Sequence, residues 1–110
     1  MRTPSERLRR SMTSDNLWLY ILTLLKNKEM YPYEIREKIR DRFGFLPGNV
    51  TAYIVLEKLK AGGYVKIGRK EKIGGPERAY YKITQKGKTE LGKAGKIFGE
   101  ISKKLTVATR

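Results

Sequence analysis

The segment from Gly74 to Gly87, with the sequence GGPERAYYKITQKG, combines a turn, a short strand and the start of a helix. Its Gly-Gly-Pro opening is typical of a tight turn, and strand-favouring residues follow it up to Ile83. Just before the turn, the segment from Tyr64 to Lys72 has alternating apolar residues, which predicts a second strand. The two segments together predict a β-hairpin with one face in a core and the other face basic.

Three helices are predicted before the hairpin. An almost wholly apolar run from Leu17 to Leu25 predicts a helix that is buried on nearly every side. A second helix begins at Pro32 and ends at Gly44, because proline suits the first helical position and glycine the end of a helix. A third helix runs from about Val50 to Ala61, with Asn49 as its cap. Three helices followed by a hairpin predict an α+β, mainly helical fold of the winged helix-turn-helix type.

A fourth helix is predicted after the hairpin, from Thr84 to about Leu105, as an added C-terminal dimerisation helix. Its apolar residues recur at spacings of three and four, which makes a seam of about two heptads. We expect a second copy of the chain to cover this seam, and the alternative is that the helix folds back on its own domain. The glycines Gly92, Gly95 and Gly99 lie along one side and weaken the helix. They favour close approach of a partner helix or a hinge, and the alternative is a weakness that the dimer contact tolerates. The predicted dimer interface consists of Leu17, Trp18, Ile21, Leu91, Ala94, Phe98, Ile101 and Leu105.

The chain is therefore expected to divide into four parts. Residues 1–13 form a flexible basic arm, because their polar composition buries too little surface to fold alone. Residues 14–83 form the winged-helix domain, residues 84–105 the dimerisation helix and residues 106–110 a tail.

The composition points to a polyanionic partner. The chain has 25 lysines and arginines against 11 acidic residues, a net charge of +14, and much of the excess lies on the predicted hairpin. Double-stranded DNA is the partner we expect. The absence of cysteine and histidine argues against an enzyme, a metal site or a cofactor. No apolar run is long enough for a membrane span, so we expect a cytoplasmic protein.

Candidate DNA contacts follow from the chemistry of the side chains. Short polar groups at the start of the third helix can reach base edges, and the candidates are Asn49, Thr51 and Tyr53. Basic and hydroxyl groups elsewhere can bind phosphate, and the candidates are Tyr33, Arg36, Lys58, Lys70, Lys72 and Arg78. The alternatives remain that Asn49 serves only as a cap, that Tyr53 is partly a core residue and that the cations are merely solvated.

Three stretches make the sequence similar to the PadR family of transcriptional regulators. They are YPYEI from Tyr31, YIVLEKLKAGGYV from Tyr53 and GPERAYYKITQKG from Gly75. The resemblance covers about residues 15–105. It implies a homodimer that binds a pseudo-palindromic operator, usually as a repressor and sometimes with release by a small-molecule effector.

The resemblance also bears on particular residues. Thr51 and Tyr53 match DNA-facing hydroxyls of the family, whereas Ile54 stands where proline is common. In some relatives an aromatic residue of the first helix lines a ligand cavity, which makes Trp18 a candidate ligand contact as well as a core residue. The competing hypothesis is an architectural winged-helix protein that coats DNA with little sequence preference.

Overall fold

The computed structural model of the chain describes residues 1–108. Its helices are α1 (Pro4–Met12), α2 (Leu17–Leu25), α3 (Pro32–Phe43), α4 (Asn49–Ala61) and α5 (Gln85–Ala108), and its strands are β1 (Val65–Glu71) and β2 (Arg78–Ile83). Helices α2, α3 and α4 with the β1–β2 hairpin form a winged helix-turn-helix domain, and α5 follows it as a C-terminal helix. The predicted fold class is thus confirmed.

Helix α2 lies at the centre of the core. It contacts α3, α4, β2 and α5, so that nearly its whole circumference meets other elements of the domain. This arrangement follows from its sequence, LWLYILTLL, in which apolar residues occur on every side. Helix α3 ends at Gly44, whose φ of 80° lies in the left-handed region that favours glycine.

The hairpin is attached to the helices through a third short pairing. Met30, in the turn between α2 and α3, forms an antiparallel bridge with Tyr81 of β2, with N···O distances of 3.1 and 2.8 Å. A β-bulge interrupts β1 between Ile67 and Lys70. There the Glu29 carboxylate accepts a hydrogen bond from the Arg69 backbone N–H at 3.0 Å, and a side chain at Gly68 would collide with it. The base of the wing is therefore fixed to the helical domain.

The N-terminal segment differs from the prediction of a flexible arm. Residues 4–12 form helix α1, which begins with a capping box between Thr3 and Glu6 and has Pro4 in its first turn. None of its residues is buried. The composition correctly indicated that the segment adds nothing to the core, but the Thr-x-x-Glu pattern that starts the helix was overlooked.

Helix α5 divides into a docked half and a projecting half. Leu91 packs against the core and Ala94 is buried, whereas Phe98, Ile101 and Leu105 are 41, 52 and 60 % exposed. The predicted tail, residues 106–110, begins inside this helix, and its last two residues lie outside the described part of the chain.

Two residues of the predicted dimer interface are wrong. Leu17 and Ile21 are 1 % and 0 % exposed because they lie in the chain's own core, where a second subunit cannot reach them.

Candidate nucleic-acid interface

The start of α4 is open to solvent. Asn49, Thr51 and Tyr53 are all exposed, with Asn49 and Tyr53 on one side of the helix and Thr51 on another. The prediction that Asn49 caps the helix is wrong, because Gly48 occupies the cap position and Asn49 is the first helical residue. The side chain of Asn49 is therefore not committed to capping. Sequence reasoning also missed Val50 on this surface, which is 72 % exposed and offers an apolar contact for a thymine methyl group.

A groove separates α4 from the wing. It has a volume of about 460 Å³, and its walls include Tyr53 and Glu57 of α4, Lys70 of β1 and Arg78 of β2. The fold thus brings one predicted base-reading residue next to two predicted phosphate contacts. Lys60 also lines this groove and was overlooked, although its position seven residues after Tyr53 places it on the same side of the helix.

Arg78 is held against the start of α3. Its guanidinium lies 4.7 Å from the centre of the Tyr31 ring, a cation–π contact. Tyr33 stacks on Tyr31, with 6.5 Å between the ring centres and an interplanar angle of 13°. Both Arg78 and Tyr33 are exposed. The two predicted phosphate contacts therefore belong to one cluster, in which Tyr31 orients the arginine.

Both tyrosines of β2 are buried. Strand alternation puts Tyr80 on the face opposite Tyr81, which was predicted to be the basic face of the hairpin, yet the Tyr80 side chain is covered as well. The reason is that Arg69 covers the Tyr80 ring at 4.0 Å, while Tyr31 packs edge-on at 5.3 Å between ring centres. This face of the hairpin is therefore covered by Arg69 and Tyr31.

A hydrogen bond joins the wing to α4. The Tyr81 hydroxyl donates to Glu57 Oε1 at 2.9 Å, and the other carboxylate oxygen pairs with Lys60 Nζ at 3.0 Å. The bond from Lys60, followed by that from Tyr81, lowers the pKa of Glu57. Burial, followed by the bond to Glu57, raises the pKa of Tyr81, so its hydroxyl keeps the proton that it donates. The carboxylate in the groove consequently stays ionised, and Lys60 compensates its charge.

The remaining phosphate candidates have different surroundings. Lys72 is exposed just beyond the end of β1, beside the wing turn. Arg36 is half-buried and donates through Nε to the Pro47 carbonyl at 3.0 Å, which fixes the loop before α4. Lys58 does not line the groove; it lies on another side of α4, in a cavity between α2, α4 and α5. The structure thus separates Lys58 from Lys70 and Arg78, the predicted phosphate contacts that line the groove.

That cavity contains the only tryptophan of the chain. It has a volume of about 380 Å³ and is lined by Trp18, Leu22, Val55, Lys58, Leu59, Tyr64 and Glu90. The Trp18 indole is half-buried and donates from Nε1 to Asn16 Oδ1 at 3.3 Å. The walls of the cavity are mostly apolar, and the charged residues among them are Lys58 and Glu90.

Two other features are absent from the part of the chain that the structure describes. Within residues 1–108, every helix is too short or too polar to cross a lipid bilayer. The same part of the chain contains no group of three or more acidic side chains that could hold a metal ion.

Comparison with known proteins identifies relatives of this chain. Residues 21–93 match the family model of the transcriptional regulator PadR-like family. An uncharacterized protein of Lysinibacillus sphaericus is 31 % identical over 83 residues, which cover 74 % of this chain and 76 % of that protein.

Solved structures agree with this match. The PadR-like transcriptional regulator of Bacillus cereus strain ATCC 14579 is 26 % identical with a TM-score of 0.74, over 91 % of this chain and 97 % of that one. Bacillus subtilis PadR, solved in complex with operator DNA, is 29 % identical with a TM-score of 0.64, over 70 % of this chain and 45 % of that one. The chain belongs to the PadR-like family of transcriptional regulators.

Proposed function

We propose that this chain is a transcriptional repressor that binds double-stranded DNA as a homodimer at a pseudo-palindromic operator. The observation that carries the proposal is the exposed start of α4 beside the groove that contains Lys70 and Arg78. In winged-helix proteins this helix enters the major groove and the wing follows the backbone. The solved complex of the related Bacillus subtilis PadR with operator DNA supports the same use of the fold here.

The roles within this interface follow from exposure and charge. Asn49, Thr51 and Tyr53 read base edges, because their polar groups are exposed on α4. Arg78, Lys70 and Lys72 bind phosphates along the wing and set affinity more than sequence preference. Tyr33, stacked on Tyr31 beside Arg78, adds a hydroxyl donor for a backbone phosphate.

The projecting half of α5 supports the dimer. Ile97 is 56 % exposed, and Phe98, Ile101 and Leu105 extend the same apolar surface along the helix. A seam of this kind is stabilised when a second helix covers it. In this proposal Trp18 and Leu91 lie at the edge of the contact, and Leu17 and Ile21 take no part in it. Two α4 helices related by a two-fold axis then meet two half-sites.

An effector site is proposed at the Trp18 cavity. A planar apolar molecule would contact the indole and Val55 there, next to α4, so that binding could alter the position of the recognition helix. Calorimetry with a planar aromatic dye tests this idea. The dye should bind the wild-type protein and weaken its DNA complex, whereas Val55→Trp, which fills the cavity, should bind DNA without responding to the dye. Equal responses of the two proteins would refute the site.

Selection from a random duplex pool tests the main proposal. Enrichment of an inverted repeat is the expected result, and its half-site spacing measures the separation of the two α4 helices. Thr51→Ala should then relax preference at particular base pairs, while Thr89→Ala, the same change on α5, should leave the selected sequence unaltered. Tight binding with no enriched sequence would refute the operator and favour an architectural, DNA-coating protein instead.

A further inference from the structure

Helix α1 carries a basic surface that the winged-helix domain does not use. Residues 1–13 contain Arg2, Arg7, Arg9 and Arg10 against Glu6, a net charge of +3. All residues of the helix are exposed, and the family match begins only at residue 21. We propose that α1 is an accessory DNA-binding element that contacts backbone phosphates outside the segment covered by α4 and the wing. This inference rests on the proposed DNA-binding function.

The two sides of α1 have different chemistry. At 100° per residue, Leu8 and Met12 fall on one side and Arg10 on the opposite side, with Arg7 and Arg9 on the two flanks between them. Arg10 is paired with Asp15 at 3.2 Å, and Glu6 is held in the capping box. Arg7 and Arg9 are the cations of this helix for which the described contacts show no carboxylate partner. They are consequently available to an external anion.

The end of α1 is attached close to the recognition helix. The Tyr20 hydroxyl donates to the Met12 carbonyl, and the Tyr20 ring packs edge-on against Phe43 and Phe45 at 4.8 and 5.0 Å between ring centres. Phe45 lies in the short loop that leads into α4 at Asn49. Helix α1 thus leaves the domain beside the loop that positions the base-reading residues.

The wing and α1 lie at opposite ends of α3. Arg78 of the wing rests on Tyr31 at the start of α3, whereas the contacts of Tyr20 place α1 at Phe43, its last residue. A helix of 12 residues is about 18 Å long, the length of about five base pairs. The two basic elements therefore lie about 18 Å apart along α3. A duplex that follows the wing on one side can meet α1 on the other.

The acidic residues of the chain argue against a second copy of the chain as the partner of α1. Seven carboxylates are already held in ion pairs, and Glu6 and Glu29 are held by the capping box and by a backbone N–H, which makes nine of the 11 acidic residues. The projecting half of α5 carries Lys96, Lys103 and Lys104 against Glu100. A second copy therefore offers α1 few acidic groups, whereas DNA offers a regular row of phosphates.

The test compares two full-length, charge-matched double variants. Arg7→Gln with Arg9→Gln removes the two unpaired cations of α1 but keeps the Thr3 and Glu6 cap. Lys96→Gln with Lys103→Gln removes the same charge from α5, on the side opposite its apolar seam. Each protein is titrated with the duplex selected above, at several salt concentrations, and the bound complexes are footprinted with hydroxyl radicals.

The α1 variant should lower the slope of log affinity against log salt by about two per bound chain, since each phosphate contact contributes about 0.9. It should also lose protection at the outer edge of the footprint while keeping protection at the half-site. The α5 variant should behave as the wild-type protein. A wild-type slope and footprint for the α1 variant would overturn the inference, as would a change confined to its oligomeric state. Failure of the wild-type protein to bind any duplex would refute the proposed function itself.

Discussion

Two glycines of α5 allow the packing of this helix to be tested by the same substitution with opposite results. Gly87 is buried where the helix leaves the wing, and a Cβ atom added there would lie 2.2 Å from the Tyr64 backbone oxygen and 2.7 Å from Ile83 Cγ1. Gly92, one and a half turns further on, has open space at the same position. Neither glycine has positive φ, so backbone strain does not distinguish them. The difference in free energy should therefore come from packing alone.

The expected magnitudes follow from these contacts. Alanine favours a helix over glycine by about 0.5–1 kcal/mol, so Gly92→Ala should stabilise the chain by about that amount. At Gly87 the same gain is outweighed by overpacking of about 1–3 kcal/mol. The Tyr64 oxygen also accepts the Thr84 backbone N–H at 3.1 Å, and its displacement weakens a bond worth about 1 kcal/mol. We expect Gly87→Ala to lower the free energy of unfolding by about 2 kcal/mol.

Thermal unfolding at one fixed protein concentration measures both changes. At about 4 °C per kcal/mol for a domain of this size, Gly87→Ala should lower Tm by about 8 °C and Gly92→Ala should raise it by about 3 °C. A Tm for Gly87→Ala at or above that of the wild-type protein would show that Gly87 does not pack against Tyr64 and Ile83 as described. A lowered Tm for Gly92→Ala would show instead that something in the native protein fills the space beside it.

Three further outcomes are expected. Arg78→Ala should lower the slope of log affinity against log salt by about 0.9 per chain on every duplex, the value of one phosphate contact. A loss of affinity for only one DNA sequence would contradict its role as a phosphate contact. Tyr81→Phe should destabilise the chain by about 1 kcal/mol at neutral pH in urea unfolding, because Glu57 loses a donor but keeps Lys60. Because the pKa of Glu57 is lowered in the folded state, the ionised carboxylate stabilises the fold above its ordinary pKa of 4.5. This contribution is lost as the pH falls through the lowered value. The effect of Tyr81→Phe should therefore shrink in acid. Phe98→Ser should yield a monomer in sedimentation experiments, and a dimer of unchanged stability would place the interface elsewhere.

The regular elements were predictable because each had a local signal. The apolar run of α2, the proline that begins α3 and the alternation in β1 each determine structure within a few residues, and the structure agrees with all three. The short capping-box helix was missed because composition was weighed over the Thr3–Glu6 pattern. Local signals therefore explain both the successes and this failure.

The surroundings of single side chains were less predictable because they depend on residues far apart in sequence. Tyr80 is buried by Arg69 and Tyr31, and no strand pattern contains that information. Leu17 and Ile21 were predicted at the dimer interface because the apolar sequence of α2 does not show how much of this helix α3 and α4 cover.

The cavity at Trp18 also has a spectroscopic consequence. Because the chain has one tryptophan, selectively excited indole fluorescence originates from this single half-buried side chain. The cavity lies between α2, α4 and α5, whereas the groove beside the wing is lined by other residues. Emission from Trp18 should therefore respond to a molecule entering the cavity or to a rearrangement of α5, and only weakly to DNA at the far side of α4. The protein thus contains an intrinsic reporter with which occupancy of the cavity can be followed separately from operator binding, without an added label.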